Sequence, residues 1–286
     1  MDALSAYLFI APFFLVFVAF QLFPIIATMA VSVHSWPALG TPTFVGFRNY
    51  ALLFSDPTFW KSVGNTFSIW FLSTVPMLIL ALVFAVLLNS TLLRGRSFFR
   101  LAGFIPNVTS TVAVGIVFSV IFGHRFGILN HLLTQFGIER VNWQGSYIGT
   151  HMAIAVMVMW RWTGYNAIIY LAGLQSVPRE LYEVARIDGA GPIRQFFSIT
   201  IPLLRPVIVF TVILSTIGGM QLFAEPLVFG TGSQNQGLTI TLYLYQEAFG
   251  RFSFGYASGI AWLLFIIIVL FSIFNLTVLQ RIRSVE

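Results

Sequence analysis

Val158, Arg161, Trp162 and Tyr165 recur at i, i+3, i+4 and i+7, the spacing that gathers side chains onto one face of a helix, and Asn166 follows directly. Ser215, Gly218, Gly219 and Leu222 repeat that spacing further along, with Gln221 beside them and Glu225 a turn beyond. A few hydrogen-bonding groups among aromatic and small apolar residues is the make-up of a pocket, in which apolar walls enclose a ligand and polar groups orient it. Plainer uses stand beside this one. Trp160 and Trp162 suit an interfacial aromatic belt, with Arg161 extended towards lipid headgroups. Gly218 and Gly219 suit close helix packing.

A second group of chemically active residues is charged. Within Ser176–Ala190, Pro178 fits the first helical position, and Glu180 and Glu183 lie in the opening turns favoured by the helix dipole. Asp188-Gly189 reads as a stop and a turn, and a second short segment from Pro192 to Ile199 leads into Thr200-Ile201-Pro202. The predicted shape is a short charged helix, a sharp corner and a return into an apolar run.

Other chemistries lack their parts. There is no Cys, so no disulfide, thiolate metal site or cysteine nucleophile. His34, His124, His131 and His151 are scattered without a carboxylate cluster, so no metal site is expected. No Gly-x-Ser-x-Gly elbow or His-Glu-x-x-His helix is present. The only lysine, Lys61, follows Asp56-Pro57-Thr58-Phe59-Trp60 rather than a phosphate-cradling loop. No catalytic residue and no cofactor is therefore expected in this chain.

The elements that carry these residues are set by composition. Of 286 residues 58% are hydrophobic and 8% charged, with mean hydropathy +0.89. A soluble domain carries roughly 25% charged residues, so an ordinary soluble enzyme, a disordered chain and a nucleic-acid binder are excluded. The cations fall between long apolar runs, as at membrane edges. The chain is expected to be an all-α, polytopic membrane protein forming one domain over 1–286. Six spans are predicted, at Tyr7–Val33, Val63–Leu88, Leu101–Phe122, Gly149–Leu174, Pro202–Phe223 and Tyr256–Leu279. Asp2 and the absence of an early cation mark the first as permanent rather than a cleaved signal. With the N-terminus inside, the inner segments hold Arg94, Arg96, Arg100, Arg179, Arg186, Arg194, Arg205, Arg281 and Arg283. The outer ones hold only Arg48, Lys61, Arg125, Arg140 and Arg251, so both termini are expected to be cytoplasmic. Trp36-Pro37-Ala38-Leu39-Gly40 and Gly230–Gly237 read as outer loops, the second flexible by composition.

Glu183-Val184-Ala185, three residues, Gly189, nine residues, then Ile199-Thr200-Ile201-Pro202 resembles the EAA loop of ABC importer permeases. Val184 and Ile201 replace its Ala and Leu. Gly173–Pro178, Asp188-Gly189-Ala190, Pro202–Pro206, Phe44–Tyr50 and Arg96–Arg100 are similar to the sugar-uptake branch of that family, related to maltose, lactose and glycerol-phosphate permeases. The resemblance implies the ABC type I importer permease fold, with a cytoplasmic coupling helix in a loop at about 176–202. It implies that Glu180, Glu183, Ala185, Arg186, Asp188, Gly189, Ala190 and Pro202 couple the chain to a separate ATPase. Small Ala185 would allow close approach, and Gly189 a corner that a side chain would obstruct. ATP and Mg2+ belong to that partner. A second homologous permease, two ATPase subunits, an extracytoplasmic sugar-binding protein and membrane lipid are the implied partners, in a bacterial-type cytoplasmic membrane.

Counted from Pro178 and Pro202, the two stripes above coincide with those that bind sugar in maltose-type permeases. There, aromatic planes stack on pyranose faces while Arg, Gln and Asn meet hydroxyls. Ser215–Phe229 is similar to cellobiose- or chitobiose-type permeases. The implied activity is ATP-driven import of a di- or oligosaccharide by alternating access. An ion-coupled secondary transporter or channel is the rival; it needs intramembrane carboxylates, for which Glu225 and Glu247 come nearest, and it leaves the loop motif unexplained.

Overall fold

The structure, a computed structural model, describes residues 3–37, 39–90 and 93–281, with the side chains of 7–277 among them. Asp2, Ala38 and Arg283, and the side chain of Arg281, lie outside the described residues. The chain is mostly helical and divides into two compact units, residues 1–60 with 240–267, and residues 61–239 with 268–286.

The first unit begins with helices α1 (Ala3–Phe17) and α2 (Phe23–Ser32), joined by a π-turn at Val18–Leu22. Pro24 cannot donate to the carbonyl four residues back, and the wider turn falls just ahead of it. Together they give an apolar run at Tyr7–Ser32 long enough to cross a membrane. A two-residue antiparallel ladder follows, β1 (His34–Ser35) against β2 (Thr43–Phe44), then α3 (Arg48–Phe54). Asn49 ties this corner by donating to the Ser32 and His34 carbonyls at 2.8 and 2.9 Å. Helix α13 (Ile240–Tyr245), a π-turn at Gln246–Gly250 and the first part of α14 (Phe254–Arg281) complete the unit. Asp56 binds them to the corner. Its carboxylate accepts from the Tyr243 and Tyr256 hydroxyls at 2.5 and 2.8 Å and from the Thr58 amide at 2.8 Å. Burial alone would raise the Asp56 carboxyl, but those donors outweigh it and hold it below the usual carboxylate value.

The second unit is built around α8 (Tyr147–Gln175), which buries fourteen residues. One cluster packs its Ile154 and Met157 against Val114 and Phe118 of α6 (Thr111–Ile121) and against Leu222 and Phe229. Another packs its Tyr170, Leu171 and Leu174 against Ala81, Ala85 and Leu88 of α4 (Pro57–Asn89) and Leu204 of α11 (Ile201–Met220). In lipid there is no hydrophobic effect to hold helices together, so close van der Waals packing must do it. Gly103 of α5 (Arg96–Val108) and Gly164 of α8 supply it: a side-chain carbon on Gly164 would overlap the Gly103 carbonyl oxygen.

The third predicted span, Leu101–Phe122, is not one helix. It is α5 and α6, bent by 97° at Thr109–Ser110. The Thr109 hydroxyl donates to the Ile105 carbonyl at 2.8 Å, taking the acceptor the next backbone turn needs, and Thr109 and Ser110 leave the helical region. Runs at 7–32, 57–89, 192–229 and 254–277 are each long and apolar enough to cross a membrane, and the bent pair makes a fifth. The predicted fourth span lies in α8, whose 29 residues are long enough, but His151, Arg161 and Asn166 lower its hydropathy. Those residues are tolerated because α8 is the interior helix. The remaining short helices are α7 (Ile128–Gln135), α9 (Arg179–Ile187), α10 (Pro192–Gln195) and α12 (Ala224–Phe229).

Candidate functional site

A cavity of about 450 Å³ in the second unit is walled by α4, α6, α8, α11 and α12. From α8 it is lined by Val158, Arg161, Trp162, Tyr165 and Asn166, and from α11 by Ser215, Gly218 and Gly219. Gln221, Leu222 and Glu225 complete the set, so the two sequence stripes meet in one space. Helix α11 ends at Met220, and the chain is non-helical at Leu222 and Phe223 before α12 begins. That break turns Glu225 towards α8, where its Oε1 lies 3.2 Å from Arg161 Nη1. The same nitrogen donates to the Thr111 hydroxyl, and the guanidinium carbon sits 5.9 Å from the Trp162 ring centre. Arg161 is therefore held inside by an ion pair rather than extended to headgroups. Trp162 and Tyr165 form an edge-to-face pair at 5.7 Å, whereas Trp160, outside the stripe, packs on Phe118 at 5.6 Å.

The two glycines part company. A side-chain carbon on Gly218 would meet nothing within 4 Å, while one on Gly219 would come 2.6 Å from Trp70 Cδ1. The packing use belongs to Gly219 and the open wall to Gly218. Asn166 is buried and donates to the Trp162 carbonyl at 3.0 Å, within its own helix. Thr74 and Met77 of α4, Thr111 of α6, and Leu214, Phe223 and Ala224 also line the space, and the sequence reading missed them. Thr74 and Thr111 carried the only available signal, a hydroxyl in an apolar helix.

The charged segment between α8 and α11 also has a defined geometry. Pro178 is the N-cap of α9, with φ −59° and ψ 131°, rather than its first helical residue. Glu180 lies in the first turn and Arg186 in the last, complementing the helix dipole. At the other end Asp188 is the C-cap and Gly189 takes φ +77°. The Gly189 amide donates to the Arg186 carbonyl at 3.0 Å and the Ala190 amide to the Ala185 carbonyl at 2.8 Å. These are the paired bonds of a Schellman stop, so the Ala185-to-Gly189 interval is the length of a helix ending. A side-chain carbon on Gly189 would meet nothing within 4 Å. Within this chain the glycine is required by its backbone angle, at which a side chain is strained, rather than by crowding at the corner. No residue of α9 is buried, and Leu181, Val184 and Ile187 leave an apolar stripe exposed on it. The segment is tied back by Tyr182 to Thr200, hydroxyl to hydroxyl at 2.9 Å, and by Gln195 Nε2 to the Ala190 carbonyl at 2.7 Å. From Pro192 the chain is helical through a π-turn at Phe196–Thr200 into α11, with Pro202 in the first turn of α11.

The Gly230–Gly237 loop is fastened rather than flexible. Lys61 Nζ donates to the Gln234 carbonyl at 2.6 Å, Asn65 to that of Asn235 at 3.1 Å, and His151 Nε2 lies 2.7 Å from that of Gln236. Polar side chains from the helices satisfy backbone that composition alone marked as loose. His151 is occupied there and at Ser68 Oγ, 2.8 Å from Nδ1. Both carboxylates that an ion-coupled carrier would use have cation partners, Glu225 at Arg161 and Glu247 at Arg251. Burial pushes the Glu247 carboxyl up, against the pull of Arg251.

Residues 57–284 match the family described as the binding-protein-dependent transport system inner membrane component. The chain belongs to that family. Its members are multi-pass permease subunits, as the apolar helices here require. The chain is 38% identical over 275 residues to the arabinooligosaccharides transport system permease protein AraP of Bacillus subtilis, covering 95% of this chain and 87% of that one. It is 39% identical over 276 residues to the lactose transport system permease protein LacF of Rhizobium radiobacter, covering 94% and 91%. It is 34% identical over 278 residues to the trehalose/maltose transport system permease protein MalF of Thermococcus litoralis, covering 97% and 94%. A chain of the bacterial alginate ABC transporter, crystallised with an alginate pentasaccharide-bound periplasmic protein, shares the fold at TM-score 0.85 and 20% identity, covering 97% of this chain and 94% of that one.

Proposed function

We propose that this permease carries a di- or oligosaccharide into the cytoplasm, driven by ATP hydrolysed on separate subunits. The observation that carries the reading is the meeting of the α8 and α11 stripes in one cavity. Trp162 and Tyr165 offer ring faces to a sugar, and Gln221, Ser215 and Asn166 stand among the groups for its hydroxyls. The relatives named for arabinooligosaccharides, lactose and trehalose/maltose favour the same cargo.

In this reading 1–286 is one permease domain with both termini in the cytoplasm. A second homologous permease completes the path, and an extracytoplasmic sugar-binding protein delivers the cargo. Two ATPase subunits hold ATP and Mg2+ and receive α9 through Glu180, Glu183, Arg186, Asp188 and the exposed Leu181, Val184 and Ile187. Ala185, Gly189 and Ala190 shape the helix end, and Pro202 stands where the segment joins α11. Approach of the ATPases on ATP binding would draw the paired coupling segments together and open the cavity outward; hydrolysis resets it.

Sugar uptake by Trp162→Ala and Tyr165→Ala at wild-type expression tests the cavity. Each should weaken apparent affinity or rate at least several-fold, since stacking on an aromatic face contributes about 1 kcal/mol or more. Unchanged affinity and rate in both would remove these residues from the path.

A further inference from the structure

We propose that Glu225 is a specificity-determining residue: by pairing with Arg161 it keeps the cavity electroneutral, so that an uncharged saccharide is accepted and one bearing a carboxylate or sulfonate is refused. The inference rests on the reading of this cavity as the sugar path. Arg161 and Glu225 are the only charged residues among the described residues that line it. Their side chains are 18% and 6% exposed, and Arg161 Nη1 stands 3.2 Å from Glu225 Oε1 while also donating to Thr111. An anionic sugar would have to take Arg161 from a carboxylate already in place and sit beside that carboxylate's own charge. Both side chains are largely buried, which weakens solvent screening of either effect. The other polar groups of the wall, among them Thr74, Ser215 and Gln221, are neutral and match hydroxyls.

Glu225 thus does more than neutralise a buried cation. It fixes which charge state of sugar the space can hold, independently of any selection by a binding protein. Removing its charge while keeping its shape would leave Arg161 as an anion-attracting group. Removing Arg161 instead would leave a carboxylate that repels acids more strongly.

The test uses the assembled transporter in nanodiscs without its binding protein, so that only the membrane cavity discriminates. Calorimetric titration compares lactose, maltose, trehalose and cellobiose with the counterpart of each in which one primary alcohol is oxidised to a carboxylate. At least one neutral disaccharide should bind, and its acidic counterpart about tenfold more weakly or worse. Glu225→Gln should narrow or invert that ratio by a further factor of about ten, Arg161→Gln should widen it, and the double variant Arg161→Gln/Glu225→Gln should restore the wild-type preference. Equal or tighter binding of the acid by the wild type overturns the proposal without any variant. An unchanged ratio in Glu225→Gln does so too. If that variant does not assemble, a preference for the acid in the double variant overturns it. Gly218→Trp, which fills the cavity, separates the two layers: neutral-sugar binding that survives it, or binding of none of the sugars by the wild type, overturns the cavity reading and the charge rule together. Loss of binding in Gly218→Trp with no effect of Glu225→Gln overturns the charge rule alone.

Discussion

Gly189 carries the helix stop that shapes the α9 segment, and its φ of +77° sets what can replace it. A β-branched residue there costs about 1–2 kcal/mol in the left-handed region, whereas Asn visits it readily. Gly189→Val is expected to insert normally but lose most sugar-stimulated ATP hydrolysis and uptake, and Gly189→Asn to keep them. Normal coupling in the valine variant would show that this corner does not matter to the partner. Asp56 offers a prediction of stability. Asp56→Ala leaves the hydroxyls of buried Tyr243 and half-buried Tyr256 without their acceptor, at a cost of about 1–3 kcal/mol for the buried one, and should lower the thermal midpoint. Because the folded carboxyl titrates below its ordinary 3.8, its contribution is complete above that pH and disappears as pH falls further through the folded value. The gap between wild type and variant should therefore stay constant from pH 8 to 5 and close only below 3.8. A gap that widens on acidification would contradict the assignment.

At the scale of elements, α8 does two jobs, packing through glycine on one side and presenting Arg161, Trp162 and Tyr165 on another. Gly164→Val drives a side chain into the Gly103 carbonyl and should cost upwards of about 1–3 kcal/mol, with little folded protein reaching the membrane. Gly218→Val points into open space and should fold normally while reducing uptake. Equal yields of the two variants would refute this division. The absence of Cys allows a clean test of α9: a cysteine at Ile187, 86% exposed, should cross-link to an ATPase subunit in the native assembly, and one at buried Leu204 should not. The α8 stripe and Ser215, Gly218 and Gly219 of α11 were legible in the sequence because helical periodicity places residues without reference to anything distant, whereas Leu222 reaches the cavity from beyond the end of that helix. The Glu225–Arg161 pair was not legible, since it depends on the helix break at Leu222–Phe223, which the apolar run conceals. The 97° bend after α5 was hidden for a similar reason: Thr109 and Ser110 are polar but short, and they interrupt the helix without interrupting the hydropathy. The Gly230–Gly237 loop was misread because its anchors, Lys61, Asn65 and His151, lie on remote segments.

For the whole molecule, scarcity of charge identified the solvent, and its local concentration marks the segment and the cavity proposed to work. Seven charged residues fall between Arg179 and Arg205, in the segment proposed to meet a partner, while two more pair inside the cavity. A carrier driven by an ion gradient would need a carboxylate free to load and release its ion. Glu225 and Glu247 are each held by an arginine, which favours the proposed ATP-driven reading over that rival. Sugar accumulation in proteoliposomes holding the assembled transporter, energised either by ATP with the binding protein or by a proton or sodium gradient alone, tests this most directly. Accumulation with ATP, abolished in the Trp162→Ala/Tyr165→Ala double variant and absent under either gradient, is the expected result; gradient-driven uptake without ATP would contradict it.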